Sequence, residues 1–471
     1  MADHLSSNEI RARFCRAMSD MYRREVPLYG DLMALVKDVN DAVMARDPAL
    51  KARLEALDNL ERISEERHGA IRLGKPEELA TIRRLFAVMG MEPVGYYDLS
   101  VAGIPVHSTA FRPVRADALK RSPFRVFTSL LRLELIADEA LRAEAEAILA
   151  RRDIFTPGVR ALIDKHEAEG GLDEADADAF IAEALETFRW HSDATVSEAT
   201  YQKLHDAHRL IADVVSFKGP HINHLTPRTL DIDAVQAMMP ERGITPKAVI
   251  EGPPPRACPI LLRQTSFKAL EEQIGFLGEG GERVPGRHTA RFGEIEQRGV
   301  ALTPKGRALY DALLDKARGL AQPKADGSNT EAYMAALGEV FAPLPDDYAA
   351  LRAEGLAYFH YFLTAKGEAA GDGLSGDIEA LIASGHVGFD PLVYEDFLPV
   401  SAAGIFQSNL GDNAAGDSMA GSNRAVFEDA LGASVPDEFS IYQALEDASI
   451  AAVTSRIGPR HAQAAKRAQA S

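Results

Sequence analysis

The chain has 471 residues, 46% hydrophobic and 26% charged, and its 52 basic and 70 acidic residues leave a net charge of −18. At roughly 100–200 residues per domain, this length allows two to four domains or one elaborated one, and the composition is that of an ordinary soluble protein. The acidic excess repels phosphate backbones and anionic membranes, no apolar run approaches the ~18 residues of a membrane span, and the polar N-terminus MADHLSSNEIRARF lacks a signal core.

Residues 1–64 read as an N-terminal helical segment. Ile10, Phe14 and Met18 recur on one helix face, and Pro27 separates that helix from the next. Residues 65–134 change texture. HGAIRL reads as a strand, KPEELATIRRLFAVMG as a helix with Leu79, Ile82, Phe86 and Met89 on one face, and MEPVGYYDLS, VAGIPVHSTAFRPV and PFRVFTSLL as further strands. Residues 135–216 are rich in Ala, Glu and Leu, broken at Thr156-Pro157-Gly158 and Gly170-Gly171, and read as a helical insertion. Within it, His205 and His208 stand at i, i+3 and read as a solvated pair.

The early pattern then returns over residues 217–302: HINHLT as a strand, LDIDAVQAMMPERG as a helix, ITPKAVIEG as a strand, then strands near CPILLRQTSF and RHTARFGEIEQRGVAL. The joins Met89-Gly90-Met91-Glu92-Pro93 and Arg242-Gly243-Ile244-Thr245-Pro246 match as x-Gly-apolar-x-Pro, each after an amphipathic helix and a strand containing a histidine. This is a weak internal repeat, about 155 residues apart, of a βαβββ unit. Residues 303–457 read as a mixed α/β region closing the site, beginning with a helix at 303–320 capped by Thr303, and 458–471 as a flexible tail. The start LTPKGRALYDALL is reminiscent of winged-helix DNA-binding domains, but without a basic recognition helix it reads as structural.

Three polar residues stand out on the expected strands: His68, His224 and Glu294. Two imidazoles and a carboxylate are the ligand set of a facial triad, which holds a divalent metal and leaves positions open. Two equivalent strands paired about a pseudo-twofold would bring the histidines together. Register leaves His221 open as an alternative to His224, and Glu294 and Glu296, two apart, share a strand face. Cys15 and Cys258 are too few for a disulfide framework or a Cys-rich zinc site, and fit a reducing cytoplasm.

Three runs, Arg67-His68-Gly69-Ala70-Ile71-Arg72, His221 to Arg228 (HINHLTPR) and Gly293 to Gly299 (GEIEQRG), resemble the 2-oxoadipate dioxygenase/decarboxylase family. These are D-2-hydroxyglutarate synthases of the vicinal-oxygen-chelate superfamily. The resemblance implies an α+β fold of paired βαβββ modules around a metal. It implies Fe(II) held by His68, His224 and Glu294, with Glu294 favoured because E-I-E-Q-R is similar to the E-V-I-Q-R strand of 4-hydroxyphenylpyruvate dioxygenases. It implies conversion of 2-oxoadipate and O₂ to D-2-hydroxyglutarate and CO₂ in lysine catabolism. Arg72, four residues after His68 and on the same strand face, is expected to bind a substrate carboxylate. Val400 and Ser401 match the segment that closes over the substrate, and Gln264 is a further polar candidate. The alternatives are an oxygen-independent metal lyase or isomerase of the same fold, or a non-catalytic binding protein with structural histidines.

Overall fold

Ser6 starts the first helix, its hydroxyl accepting the Glu9 N–H at 3.2 Å. The computed structural model describes residues 4–56, 59–324, 327–371, 374–398 and 417–456. Val400, Ser401 and the expected tail at 458–471 lie outside the described residues. Four helices open the chain: α1 (Ser7–Glu25), α2 (Pro27–Arg46), α3 (Pro48–Ala56) and α4 (Asn59–Glu65). Ile10, Phe14 and Met18 are buried against the body of the protein. The buried Arg11 guanidinium donates to the carbonyls of Met89, Ala118 and Ser122, tying α1 to the module that follows.

That module runs β1 (Arg67–Leu73), α5 (Pro76–Val88), β2 (Glu92–Asp98), β3 (Val106–Arg112), α6 (Ala116–Arg121) and β4 (Arg125–Leu131). Its strands lie in the order β2-β3-β4-β1, with β1 parallel to β4 and His68 opposite Arg125. All seven residues of β1 are buried, and alternate ones face two different cores. Ile71 and Leu73 join the N-terminal helices, whereas Ala70 joins a second cluster that includes Leu141 and Val214. His68 and Arg72 share the Ala70 side of the pleat. The next stretch is helical: α7 (Glu139–Ala150), α8 (Pro157–Glu169), α9 (Glu174–Phe188), α10 (Glu198–Ala207) and α11 (Arg209–Ser216). His208 lies between α10 and α11 and caps the latter, its Nδ1 accepting the Leu210 N–H.

The second module begins with β5 (Leu225–Pro227), antiparallel to β1 with Thr226 opposite His68. It continues through α12 (Ile232–Met238), β6 (Leu262–Ser266), a hairpin of β7 (Glu271–Leu277) and β8 (Arg283–Thr289), and β9 (Glu294–Arg298). A parallel bridge between Arg228 and Glu296 joins β5 to β9, and β9 pairs antiparallel with β6. The expected strand at ITPKAVIEG is reduced to two bridges to the β6 side, Pro246 to Phe267 and Glu251 to Gln264. Pro246 has no N–H to donate, and Gly252, at φ +109°, turns the chain away. With those bridges counted, the order bridge segment-β6-β9-β5 repeats β2-β3-β4-β1. The α+β fold of paired βαβββ modules is therefore present, with the β7–β8 hairpin inserted into the second copy. The expected strand over HINHLT is shorter than its pattern, because the Ile222 N–H turns away to the Phe188 carbonyl, while the Asn223 N–H still reaches β1 at the Ala70 carbonyl.

The remainder packs around a third core. Its first helix, α13 (Pro304–Leu320), starts at Thr303, whose Oγ1 accepts the Gly306 N–H at 3.1 Å. A two-stranded sheet, β10 (Phe359–Leu363) with β11 (Val387–Pro391), follows, and helix Glu438–Thr454 packs on β10. Among the described residues no helix is long and apolar enough to cross a membrane.

Candidate metal and substrate site

β1 and the segment before β5 approach each other closely at Gly69. A Cβ there would sit 2.4 Å from Ile222 Cδ1 and 2.9 Å from the His224 carbonyl oxygen, so only glycine permits the contact. Tyr22 of α1 clamps the other side, its hydroxyl shared between the carbonyls of Asn223 (3.0 Å) and Phe292 (2.7 Å). These two contacts set the backbone from which His68, His224 and Glu294 converge. Each of the three is fully buried, and their ligand atoms lie within 4.8 Å of one another.

His68 Nε2 lies 2.9 Å from Glu294 Oε1, and His224 Nε2 lies 3.9 Å from the same oxygen. Thr226 Oγ1 and Gln264 Nε2 donate to that oxygen at 3.1 and 2.9 Å. Glu294 Oε2 and both ring nitrogens of His224 have no hydrogen-bond partner among the described residues. Fully buried polar atoms left this way cost free energy unless something binds them. A divalent cation fits that donor set: two imidazole nitrogens and a hard carboxylate oxygen. Burial pushes His224 down to about 4, which keeps its imidazole neutral and able to coordinate.

Glu296 takes a different place from Glu294. Its Oε2 lies 3.0 Å from His68 Nδ1, and its carboxylate receives a two-pronged contact from Arg298 at 2.7 and 2.8 Å. Burial alone would raise its pKa, but Arg298, His68 and Arg125 bring it to about 2. His68 is raised: burial pulls it down and is outweighed by Glu296 and Glu294. Behind Glu296, Arg62, Arg125, Arg228 and Arg298 enclose Glu66 and Glu395 in a buried ion network. Aromatic rings close two sides, Phe397 with its ring centre 5.0 Å from that of His68 and Phe292 4.8 Å from that of His224.

Arg72 is buried on the His68 side of β1, and its Nη1 donates to Asp213 Oδ2 at 2.7 Å. Asp213 Oδ1 lies 3.0 Å from His288 Nε2 and 3.3 Å from His221 Nε2, and the Tyr201 hydroxyl bonds His288 Nδ1 at 2.8 Å. His221 thus belongs to this second cluster and His224 to the first. Arg72 already occupies the Asp213 carboxylate, so the second cluster reads as a hydrogen-bonded platform for the guanidinium. His205 and His208 join neither cluster. Sequence reasoning had no signal for Tyr22, Thr226, Phe292 or Asp213, each of which reaches the site from another element.

The fold and the first cluster define a paired βαβββ protein with a buried two-histidine, one-carboxylate site where the modules meet. The model of the 2-oxoadipate dioxygenase/decarboxylase family matches residues 14–409. A 2-oxoadipate dioxygenase/decarboxylase of Pseudomonas putida is 61% identical over 452 residues, 96% of this chain and 97% of that protein. One from Escherichia coli is 57% identical over 451 residues, 95% of this chain and 98% of that protein. The crystal structure of the hydroxyglutarate synthase of Pseudomonas putida in complex with 2-oxoadipate superimposes with a TM-score of 0.90 at 59% identity, covering 97% of this chain and 99% of that one. The chain belongs to the 2-oxoadipate dioxygenase/decarboxylase family.

Proposed function

We propose that this chain is an Fe(II)-dependent enzyme that converts 2-oxoadipate and O₂ to D-2-hydroxyglutarate and CO₂. The observation that carries the reading is the convergence of His68, His224 and Glu294 into a buried cluster with unsatisfied ligand atoms, in a chain 61% identical to a 2-oxoadipate dioxygenase/decarboxylase. The reaction balances without a co-substrate: both oxygen atoms of O₂ are retained and one carbon leaves as CO₂.

His68, His224 and Glu294 would hold the metal. Fe(II), when bound, supplies Lewis acidity and the electrons that activate O₂. The chain does the rest. Glu296 Oε2, 3.0 Å from His68 Nδ1, gives that edge of the ring a charged neighbour, and Nε2 is turned toward Glu294. Phe292 and Phe397 exclude water from the two histidines. Arg72, held by Asp213, binds a carboxylate of the substrate, and Val400 and Ser401 complete the proposed set of substrate-binding residues. Two free, buried thiols, Cys15 and Cys258, support a cytoplasmic location.

The test is oxygen uptake by anaerobically Fe(II)-loaded protein on adding 2-oxoadipate, with CO₂ release followed in parallel. Equimolar uptake and release that vanish in the metal-free control are expected. No uptake by protein shown to carry iron would overturn the reading.

A further inference from the structure

A cavity of about 370 Å³ opens beside the site, walled by Arg72, Asp213, His288 and Phe292, with Arg209 on its rim. It adjoins the candidate metal cluster through Phe292, whose ring lies tilted against that of His224 with centres 4.8 Å apart, and through Arg72, which shares a strand face with His68. The acids of this cavity are already engaged. Asp213 takes Arg72 and His288, and Glu271 takes Arg287.

Arg209 differs from the other cations. It is exposed and has no hydrogen bond or ion pair among the described residues, although Asp213 lies one turn further along α11. It is the first residue of α11, where the helix dipole disfavours a positive charge. It also shares the cavity with a second guanidinium, Arg72, which adds like-charge repulsion. An unpaired cation at the positive end of a helix, beside another cation, is an unfavourable local choice that an incoming anion would offset.

We infer that Arg209 is a specificity-determining residue that binds, together with Arg72, the carboxylate of the 2-oxo dicarboxylate remote from its 2-oxo acid end. The inference rests on the function proposed above and extends it to a residue outside the metal cluster.

The test is anaerobic titration calorimetry of the Fe(II)-loaded chain with 2-oxoadipate and with 2-oxohexanoate, which has the same length but no remote carboxylate. Arg209→Ala is expected to weaken 2-oxoadipate about tenfold and 2-oxohexanoate less than about twofold, and Arg209→Lys to recover most of the loss. Unchanged 2-oxoadipate affinity in Arg209→Ala, or equal weakening of both ligands, would overturn the inference. A thermal melt matching wild type keeps the comparison free of misfolding, since Arg209 is exposed. Oxygen uptake separates the two readings. Uptake by wild type with no effect of Arg209→Ala removes the subsite alone. Selective, Arg209-dependent binding without uptake removes the proposed reaction and leaves the subsite standing.

Discussion

His68 Nδ1 sits 3.0 Å from Glu296 Oε2 while its Nε2 sits 2.9 Å from Glu294 Oε1, so one imidazole is held between two carboxylates of the same strand. The two glutamates share a face of β9, as their spacing requires, yet they meet opposite edges of the ring. This places Glu294 in the ligand cluster and Glu296 behind it.

A carboxylate behind a coordinating histidine fixes the ring and raises its basicity. Glu296→Gln should therefore lower Fe(II) affinity by about 10–100-fold while the protein still folds. Competition with a calibrated chelator measures this directly. An unchanged affinity would show that Glu296 serves only the ion network around Arg298.

Neither ring nitrogen of His224 has a hydrogen-bond partner among the described residues, so the metal-free fold gains little from its polarity. His224→Leu should leave metal-free stability within about 1 kcal/mol of wild type. The rise in melting temperature on adding Fe(II) should be lost, together with oxygen uptake. Thermal melts with and without metal distinguish this from a general loss of fold.

Gly69 has room for a hydrogen and not for a methyl group, with Ile222 Cδ1 2.4 Å from where the Cβ would lie. Gly69→Ala should destabilise the chain by about 1–3 kcal/mol, as overpacking does in a close-packed interior. It should also weaken metal binding, since β1 and the His224 segment would be pushed apart. Denaturant unfolding and metal titration of the same variant read both effects.

Asp396 receives Arg112 through two contacts, 2.6 and 2.9 Å, and the Tyr442 hydroxyl at 2.6 Å, with both charged groups fully buried. Asp396→Ala leaves a buried guanidinium without its counter-ion. A loss of about 3–5 kcal/mol in unfolding free energy is expected. A loss below about 1 kcal/mol would mean that water or another acid takes over.

Glu438, at the start of helix Glu438–Thr454, is pushed up to about 7 by burial, then by the nearby Asp396 and Asp437. A folded-state value above the unfolded one favours the protonated form in the fold. Its contribution is complete below about pH 4.5 and is lost as pH rises toward 7. Glu438→Gln should therefore match wild type near pH 4.5 and exceed it by up to about 3 kcal/mol at pH 8. Unfolding curves at the two pH values settle the sign.

The amino-acid order by itself determined the βαβββ repeat, the helical character of the segment between the copies, and the residue types at the candidate metal cluster. These were legible because they are local. Short apolar-rich runs bounded by turn residues mark β1 and β4, amphipathic spacing marks α5, and the matched glycine–proline joins mark equivalent places in the two modules. Tertiary structure alone decided how each side chain is used. Glu294 and Glu296 are indistinguishable by spacing and separate only because His68 stands between them. His221 and His224, three residues apart, enter different clusters because their partners come from α11 and β8 in one case and from β1 and β9 in the other. Arg72 meets Asp213 across 141 residues, and Tyr22 reaches Phe292 across 270. Contacts at such separations leave no periodic trace in the chain, because they depend on where the β1–β5 junction brings the two modules together.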